Sequence, residues 1–393
     1  MPQRRLKTGY FALEGLNSFA VTYFFYYFYF FMQSRYGFGD KANLALAALN
    51  GFVYMFAAWW AGRFAQRSGY FTALKLGFAV MIVALLAGAR QDSAAGHIVA
   101  MLATVVGMCF TWPTLEALVS EGETPAGLQR MVGVYNVVWA ATGALAYFTG
   151  GAMLEKLGVK SLFYVPAVIV SAQLALTFWL QSRAGSVRHD ANSNSAAGPA
   201  ADIHRPSRVK AKAFLRMAWV ANPFAYVAIN TLVAVMPGVA ARLGLTPMLA
   251  GFCGSVWCFA RLGAFVALWF WPGWHYRFRW LLTAFATLIG AFALILLVPN
   301  LAVLVVAQLF FGGAVGLIYY SSLFYSMDVG ETKGEHGGIH EAVIGLGNFA
   351  GPAVGAASLH FLPQYAGSGA AAVSLLLLAG LGVLLAIWHT TKT

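Results

Sequence analysis

Residues 42–89 read ANLALAALNGFVYMFAAWWAGRFAQRSGYFTALKLGFAVMIVALLAGA. Within this stretch, two apolar runs at 42–62 and 70–89 flank a short loop that contains arginine and glycine. A helix needs about 20 mostly apolar residues to cross a bilayer, and each run has that length. The stretch therefore predicts two membrane-spanning helices joined by a tight polar turn.

Long apolar runs separated by short polar loops recur through the rest of the chain. The other runs cover 8–33, 97–120, 130–154, 160–181, 213–240, 247–272, 278–298, 301–327, 336–360 and 367–389. Half of the runs precede a polar stretch at 182–212 that is rich in Ser, Asn, Ala, Gly and Arg, and half follow it. The pattern predicts an all-α membrane protein with twelve transmembrane helices: a six-helix bundle at 1–181, a flexible linker at 182–212 and a second six-helix bundle at 213–393.

The composition is that of a membrane protein. Hydrophobic residues make up 60% of the chain and charged residues 10%, whereas soluble domains carry roughly 25% charged residues. The net charge of +12 would suggest nucleic acid in a soluble protein, but here we interpret it as an orientation signal and expect no nucleic-acid partner. Lysine and arginine concentrate on the side of the N-terminus and the linker, so the positive-inside rule predicts that both termini are in the cytoplasm. We expect the membrane to be a bacterial-type plasma (inner) membrane.

Motifs of ATP-driven or enzymatic chemistry are missing from the sequence. It contains no P-loop, no Gly-x-Ser-x-Gly motif and no His-Glu-x-x-His motif. The three cysteines lie inside apolar runs without the spacing of metal ligands. We therefore expect no enzyme activity, no cofactor and no metal site.

Short matches at equivalent places indicate that the two bundles are related repeats. RYGF at 35–38, after the first run, matches RLGL at 242–245, after the seventh run. GET at 122–124 matches GET at 330–332, after the fourth and tenth runs. Parallel repeats of this kind are related by an axis normal to the membrane, so the two bundles are expected to be pseudo-symmetric.

The loop between the second and third runs resembles the signature of the major facilitator superfamily. It reads GRFAQRSGYF at 62–71, against Gly-x-x-x-Asp-Arg-x-Gly-Arg-Arg in the family. Gln66 stands at the place of the aspartate, and Tyr70 and Phe71 at the place of the basic pair. The resemblance implies the major facilitator fold, a monomer, and transport of a small-molecule substrate by alternating access about a central site.

Charged residues near this loop are candidates for a cytoplasmic gate. Arginines of the loop can pair with acids at neighbouring helix ends when the cytoplasmic side is closed, and the inner ends of the fourth and tenth runs both carry acids. The candidate gating residues are Gly62, Arg63, Arg67, Gly69, Glu121, Arg130 and Asp328. The alternative is that these charges are solvated loop ends that only set the orientation.

Arg261 is a charge inside the eighth run. It lies about 15 Å from Trp271 at the inner end of that run, and thus near the membrane midplane, where an ionised side chain costs about 2.5–3.5 kcal/mol. It is similar to the substrate-anion arginine of monocarboxylate and oxalate transporters, although Trp257 stands where the former have an aspartate. Two interpretations stay open: Arg261 binds an anionic solute, or it forms a salt bridge to Glu14 or Glu341 that only holds the halves together.

Titratable residues inside the runs are candidates for proton coupling, because a carboxyl group in an apolar site can exchange protons near neutral pH. Glu14 lies in the first run and Glu116 near the C-terminal end of the fourth, and His340 and Glu341 open the eleventh. Glu14 and Glu341 also lie near the N-terminal ends of their predicted helices, where the helix dipole stabilises a carboxylate, and this is the alternative to a role in proton coupling. Glu116 has the alternative of pairing with Arg130 or Lys7 at the level of the lipid headgroups.

The resemblance implies that the first, fourth, seventh and tenth helices line a central pocket. Apolar walls with a few polar contacts are the usual form of a small-molecule site. The candidate substrate-binding residues are Asn17, Tyr29, Asn136, Trp139, Asn230, Trp257, Arg261, Gln308 and Tyr320.

These features predict a secondary active transporter that takes up a small organic anion with protons. Arg261 would bind the anion, and Glu14 or Glu116 would carry the proton; the partners are a small-molecule substrate, protons and the lipid bilayer. One alternative is transport of a neutral polar solute such as a sugar or nucleoside, or drug-type efflux. An alternative from another class is a non-transporting membrane sensor or a lipid-moving protein.

Overall fold

A computed structural model describes residues 3–123, 125–188, 208–329 and 335–392. Fourteen α-helices and one 3₁₀ turn, Pro272–Trp274, make up these parts of the chain, and they contain no strand. The helices are α1 Gln3–Tyr36, α2 Asp40–Ser68, α3 Tyr70–Gly88, α4 Ala94–Cys109, α5 Trp112–Ser120, α6 Pro125–Leu157, α7 Ser161–Arg188, α8 Arg208–Arg242, α9 Pro247–Gly254, α10 Val256–Phe270, α11 Phe278–Leu297, α12 Leu301–Val329, α13 Glu335–Phe361 and α14 Ser368–Lys392.

The helices form twelve spans, because α4 with α5 and α9 with α10 are each one interrupted span. In the described parts of the chain, eleven spans are long and apolar enough to cross a membrane. The remaining one, α1, has 34 residues but is more polar, since tyrosines, Asn17 and Glu14 interrupt its apolar surface. The predicted all-α fold with twelve transmembrane helices is confirmed.

The interruption of the fourth span has a local cause in the sequence. The N–H groups of Phe110 and Thr111 bond three residues back, to Gly107 and Met108, which tightens the last turn of α4. Pro113 then lacks an N–H to continue the ladder. The break turns α5, which carries Glu116, relative to α4.

Glycines allow the two halves to approach closely where α2 packs along α13. A Cβ on Gly51 would lie 2.4 Å from the backbone carbon of Asn348, and one on Gly345 would lie 2.7 Å from the Cα of Met55. Only glycine fits at such distances, since real Cβ atoms do not approach backbone below about 3 Å. The α2–α13 contact therefore depends on these two positions.

The repeated turns have the same backbone geometry in both halves. Gly37 has a φ of +70° and Gly244 a φ of +65°, the left-handed region that favours glycine. Gly69, in the loop between α2 and α3, has a φ of +90°. The sequence match at 35–38 and 242–245 thus corresponds to one kind of turn that follows α1 and α8.

Helices extend into both ends of the stretch that the sequence predicts as a linker. α7 continues through Arg188 and α8 begins at Arg208, whereas residues 189–207 lie outside the described residues. We call the end of the bundle where α7 ends and α8 begins the linker side, and the opposite end the far side.

Candidate functional site

A cavity of about 180 Å³ lies between the two halves. One half contributes α1, α2, α4, α5 and α6 to its wall, and the other contributes α8, α10, α12 and α13. Its charged lining residues are Arg261, Glu116 and Glu341. The remaining wall is rich in tyrosine, tryptophan and asparagine, so the cavity combines apolar walls with a few polar and charged groups.

Arg261 lies in α10 and contacts two indole rings. Its guanidinium carbon is 4.2 Å from the ring centre of Trp139 and 4.8 Å from that of Trp257. The side chain is only 7% exposed, and its Nε is buried without a hydrogen-bond partner in the described structure. Contact with aromatic rings compensates part of the cost of desolvating the cation, but the Nε–H group has no acceptor among the described residues.

The salt bridge that the sequence offers as an alternative for Arg261 is not formed in this conformation. Within the described residues, neither Glu14 nor Glu341 lies within the 4.0 Å that defines an ion pair with Arg261. Glu341 instead accepts a hydrogen bond from the hydroxyl of Tyr54, which reaches across from α2 to α13. The two opposite charges thus line one cavity without pairing to each other.

Glu14 lies in α1 behind the wall of this cavity. It is fully buried, and neither carboxyl oxygen makes a hydrogen bond of good geometry to a described residue. The side chains of Tyr135 and Trp112 interact with it, and both of them line the cavity. Because an isolated ionised carboxylate is costly in such surroundings, Glu14 is placed where a proton can neutralise it.

Glu116, in α5, lines the cavity directly. Lys7, which the sequence offers as its partner, reaches the end of α5 instead. The Lys7 ammonium contacts Glu123 and donates to the carbonyl oxygens of Val119 at 3.1 Å and Glu121 at 3.2 Å. Lys7 therefore satisfies carbonyl groups at the C-terminal end of α5.

An amide pair connects two helices of the second half at the cavity wall. The Nδ2 of Asn230 donates to the Oδ1 of Asn348 at 2.6 Å, which links α8 to α13. The tyrosines Tyr54, Tyr135, Tyr226 and Tyr319 also line the cavity. Together these groups offer hydrogen bonds to a polar solute beside the charged residues.

Three candidate substrate-binding residues do not line the cavity. Asn17 is buried and donates to Thr111 at 3.1 Å, at the break between α4 and α5. Tyr29 and Gln308 are buried closer to the far side. There, Tyr26 packs on Tyr147, and Trp257 on Phe311 in α12, so the cavity ends before it reaches either residue. The closed far side is the reason that Tyr29 and Gln308 lie outside the cavity.

Two further candidates, Asn136 and Tyr320, line a second cavity of about 320 Å³ on the linker side. It lies between the start of α6 and the ends of α10 and α12, with Arg130 and His275 in its wall. The other candidates, Trp139, Asn230, Trp257 and Arg261, line the central cavity. Six of the nine candidates thus line two cavities, one at the centre of the interface and one towards the linker side.

The far side of the interface is held closed by contacts between the halves. Arg242, at the end of α8, donates to Asp40, at the start of α2, at 3.0 Å. Glu155, near the end of α6, accepts from the backbone N–H of Met248 in α9 at 2.7 Å. A Cβ on Gly151 would lie 2.2 Å from the carbonyl oxygen of Pro247, so the two backbones touch there.

The arginines among the candidate gating residues do not form the predicted gate on the linker side. The guanidinium of Arg63 lies 4.1 Å from the ring centre of Trp59. Arg67, Arg130 and Glu121 are exposed and Gly62 is buried. Within the described structure Arg63, Arg67 and Arg130 form no ion pair. The side chains of Asp328 and His340 lie outside the described residues. This arrangement fits a conformation that is open on the linker side.

Sequence reasoning missed several lining residues that share a helix face with ones it identified. Tyr135 precedes Trp139 by one helical turn, Tyr226 precedes Asn230, and Asn348 lies two turns after Glu341. Residues four apart lie on one face of a helix. Helical spacing from each polar residue inside a span would therefore have predicted these lining residues.

In the described part of the chain, no group of three His, Cys, Asp or Glu side chains could hold a metal ion. The expectation of no metal site therefore stays a prediction for the whole chain.

Comparison with known proteins identifies the family of the chain. The model of the Major Facilitator Superfamily matches residues 16–352. No curated protein matches the chain.

Three solved structures with the same fold are transporters. One is a bacterial homologue of the human lysosomal transporter Spinster in an inward-facing and unoccupied conformation, with a TM-score of 0.63 and 12% identity over 99% of this chain and 95% of that one. Another is the human organic anion transporter MFSD10, with a TM-score of 0.66 and 16% identity over 98% and 100%. The third is a point mutant of the nucleoside transporter NupG, with a TM-score of 0.70 and 12% identity over 99% and 100%. At these identities the likeness establishes the fold.

Proposed function

The chain belongs to the major facilitator superfamily and is a membrane transporter rather than an enzyme, and we propose that it takes up a small organic anion together with protons. The two halves rock about the central cavity, which opens to the linker side and to the far side in turn. The energy comes from the proton gradient.

The observation that carries this proposal is the state of Arg261. A guanidinium buried in a membrane protein is costly unless something compensates its charge, yet no described carboxylate pairs with it. Two indoles already pack against the guanidinium, and a ligand that approaches in the plane of the fork keeps both contacts. A carboxylate is the group whose two oxygens match that edge.

Acidic residues near Arg261 support coupling to protons. Glu116 lines the cavity, and Glu14 is buried behind Tyr135 and Trp112. We assign the coupling proton to Glu14 or Glu116, and Glu341 and His340 stay further candidates. A proton taken up by one of these residues would offset the charge of the anion during the crossing.

We place the linker side in the cytoplasm of a bacterial inner membrane. Three basic residues on that side lie over aromatic rings: Arg63 on Trp59, Lys75 on Phe178 and Arg183 on Trp179. Such snorkelling pairs are common at membrane interfaces. In this orientation both termini are cytoplasmic, and the conformation is open to the cytoplasm. We propose that the monomer is the functional unit, because both halves of the cavity come from one chain.

A neutral polar solute is the second candidate. The Asn230–Asn348 pair and the lining tyrosines favour it, since amides and hydroxyls bind sugars or nucleosides. One of the similar structures is named as a nucleoside transporter and another as an organic anion transporter. For a neutral solute, loss of the Arg261 charge would leave binding largely intact.

Uptake into proteoliposomes separates the two candidates. With an inward proton gradient, we expect accumulation of at least one labelled carboxylate from a panel of oxalate, malonate, lactate and β-alanine. Arg261→Ala should abolish it, whereas Arg90→Ala, an exposed arginine on the far side, should transport as the parent does. Normal accumulation of the anion by Arg261→Ala would refute the proposal, and accumulation of uridine or glucose instead would establish the second candidate.

Exchange without a gradient tests the assignment of the proton. Glu14→Gln or Glu116→Gln should retain exchange of labelled for unlabelled solute but lose accumulation driven by protons. If both variants still accumulate solute with a proton gradient, these two residues do not carry the coupling proton.

A further inference from the structure

The central cavity carries two opposite charges on one half of the protein, Arg261 on α10 and Glu341 on α13. They are not an ion pair in the described structure, although opposite charges attract strongly in a weakly polar interior. Glu116 adds a second carboxyl group from the other half. The cavity therefore has a positive pole and a negative pole, and the acids outnumber the arginine.

Each pole is contacted by an aromatic residue from the opposite half. Trp139 of α6 covers the guanidinium of Arg261 at 4.2 Å, and Tyr54 of α2 donates to the carboxylate of Glu341. Tyr226 lines the same cavity as both poles. A solute that touches both poles would also touch the contacts that change when the halves move.

We propose that the transported anion is a small aminocarboxylate, a zwitterion whose carboxylate binds the edge of Arg261 and whose ammonium group binds Glu341. This inference rests on the proposed function and names its substrate class. A carboxylate accepts up to about four hydrogen bonds, so Glu341 can accept from an ammonium group as well as from the hydroxyl of Tyr54. Tyrosines and tryptophans form the wall around the short carbon chain between the two ends.

The charge balance favours a zwitterion over a simple anion. A simple carboxylate at Arg261 would bring its negative charge into a cavity that already holds Glu116 and Glu341, and like charges repel. A zwitterion satisfies both poles, and the coupling proton stays assigned to Glu116 or Glu14. The volume of about 180 Å³ equals roughly six water molecules in the liquid, which suits a short chain between the two groups.

Isosteric pairs of solutes test the proposal on the parent protein. In β-alanine an ammonium group replaces the terminal methyl group of butanoate, and glycine and 4-aminobutanoate have the same relation to propanoate and pentanoate. Calorimetry and thermal stabilisation of the purified full chain at neutral pH would measure the affinities. We expect at least one zwitterion to bind tenfold or more tightly than its methyl isostere, and propylamine, which lacks the carboxylate, to bind weakly.

Substitutions test which residue binds each end of the zwitterion. Glu341→Gln should weaken the zwitterion at least tenfold and leave the isosteric anion unchanged or tighter, whereas Arg261→Ala should weaken both. Asp92→Asn, an exposed acid on the far side, is the control that should change neither. The isostere comparison needs no variant, so it decides the proposal even if Glu341→Gln fails to fold.

The outcomes separate this proposal from the proposed function. If every methyl isostere binds as tightly as its zwitterion, and Arg261→Ala abolishes binding, the zwitterion proposal is wrong. The proposal of anion transport then stands. If Glu116→Gln removes the preference for the zwitterion and Glu341→Gln does not, the assignment of the negative pole is overturned. If no carboxylate in either panel binds the parent protein, both proposals fall.

Discussion

The two ends of α6 lie at opposite ends of the interface between the halves, and they are packed in different ways. On the far side, Gly151 touches the backbone of α9, and a Cβ there would lie 2.2 Å from the carbonyl oxygen of Pro247. On the linker side, a Cβ on Gly133 would lie 3.5 Å from the ring of Trp269, an ordinary contact distance. The same helix therefore seals one end of the interface and borders an open cavity at the other.

The closed end of the interface therefore depends on backbone contact, whereas the open end depends on side chains. Far-side closure requires glycine at Gly151, and the polar contacts of Asp40 and Glu155 add to it. The linker side has room beside Gly133, in the cavity that Asn136 and Tyr320 also line. Substitutions at the two ends should thus have unequal effects on the balance between conformations.

The largest effect is expected from Gly151→Ala. The added methyl group cannot fit against Pro247 and Met248, so the far side has to open and the balance shifts towards the outward-open state. Transport should fall at least tenfold. The shift would be measured with Thr22→Cys, a position in the cavity wall, which should react with a membrane-impermeant maleimide from the far side much faster in the Gly151→Ala background than in the parent. Equal labelling in both backgrounds would contradict far-side closure at this glycine.

A smaller effect is expected from Glu155→Ala. The carboxylate accepts from the N–H of Met248 at the N-terminus of α9, a bond favoured by the helix dipole and worth about 0.5–1.5 kcal/mol at an exposed site. The outward-open population should therefore rise about two- to tenfold. The same maleimide assay measures it, and no change would mean that this bond does not contribute to closure.

Arg242→Ala should have a still smaller effect. The Arg242–Asp40 pair has side-chain exposures of 48% and 29%, and pairs of this kind contribute about 0.2–1 kcal/mol. The maleimide rate should rise at most about fivefold and should approach that of the parent in high salt, because salt screens exposed charges. A tenfold or greater rise, or one insensitive to salt, would give this pair a larger role.

The smallest effect is expected from Gly133→Ala, the matched control on the same helix. The new methyl group meets Trp269 at an ordinary distance, so transport and maleimide labelling should stay within about twofold of the parent. A loss as large as that of Gly151→Ala would mean that both ends of α6 are equally tight, and the comparison would fail.

The sequence predicts the helices well because each one depends on local composition. Every apolar run became one span, and the matched turns of Gly37 and Gly244 share a left-handed backbone. The break before Pro113 follows from a missing N–H group. Properties that depend on one stretch of chain can therefore be derived from it.

Residues in the wall of the cavity could be predicted only in part. Arg261 and Glu116 were identifiable because charge inside a span is rare and costly. Tyr29 and Gln308 lie beyond the closed far side, and which side is closed is a property of the conformation rather than of the sequence. The bond between Tyr54 and Glu341 joins distant parts of the chain, and no local pattern indicates such a pair.

The central claim is that Arg261 binds the carboxylate of the transported solute. Its most direct test is the affinity of the parent protein, Arg261→Lys and Arg261→Ala for the carboxylate of the panels that the parent binds most tightly. We predict a loss of at least a hundredfold for Arg261→Ala and an intermediate loss for Arg261→Lys, which keeps the charge but not the planar fork. Equal affinity of Arg261→Ala and the parent would contradict the account.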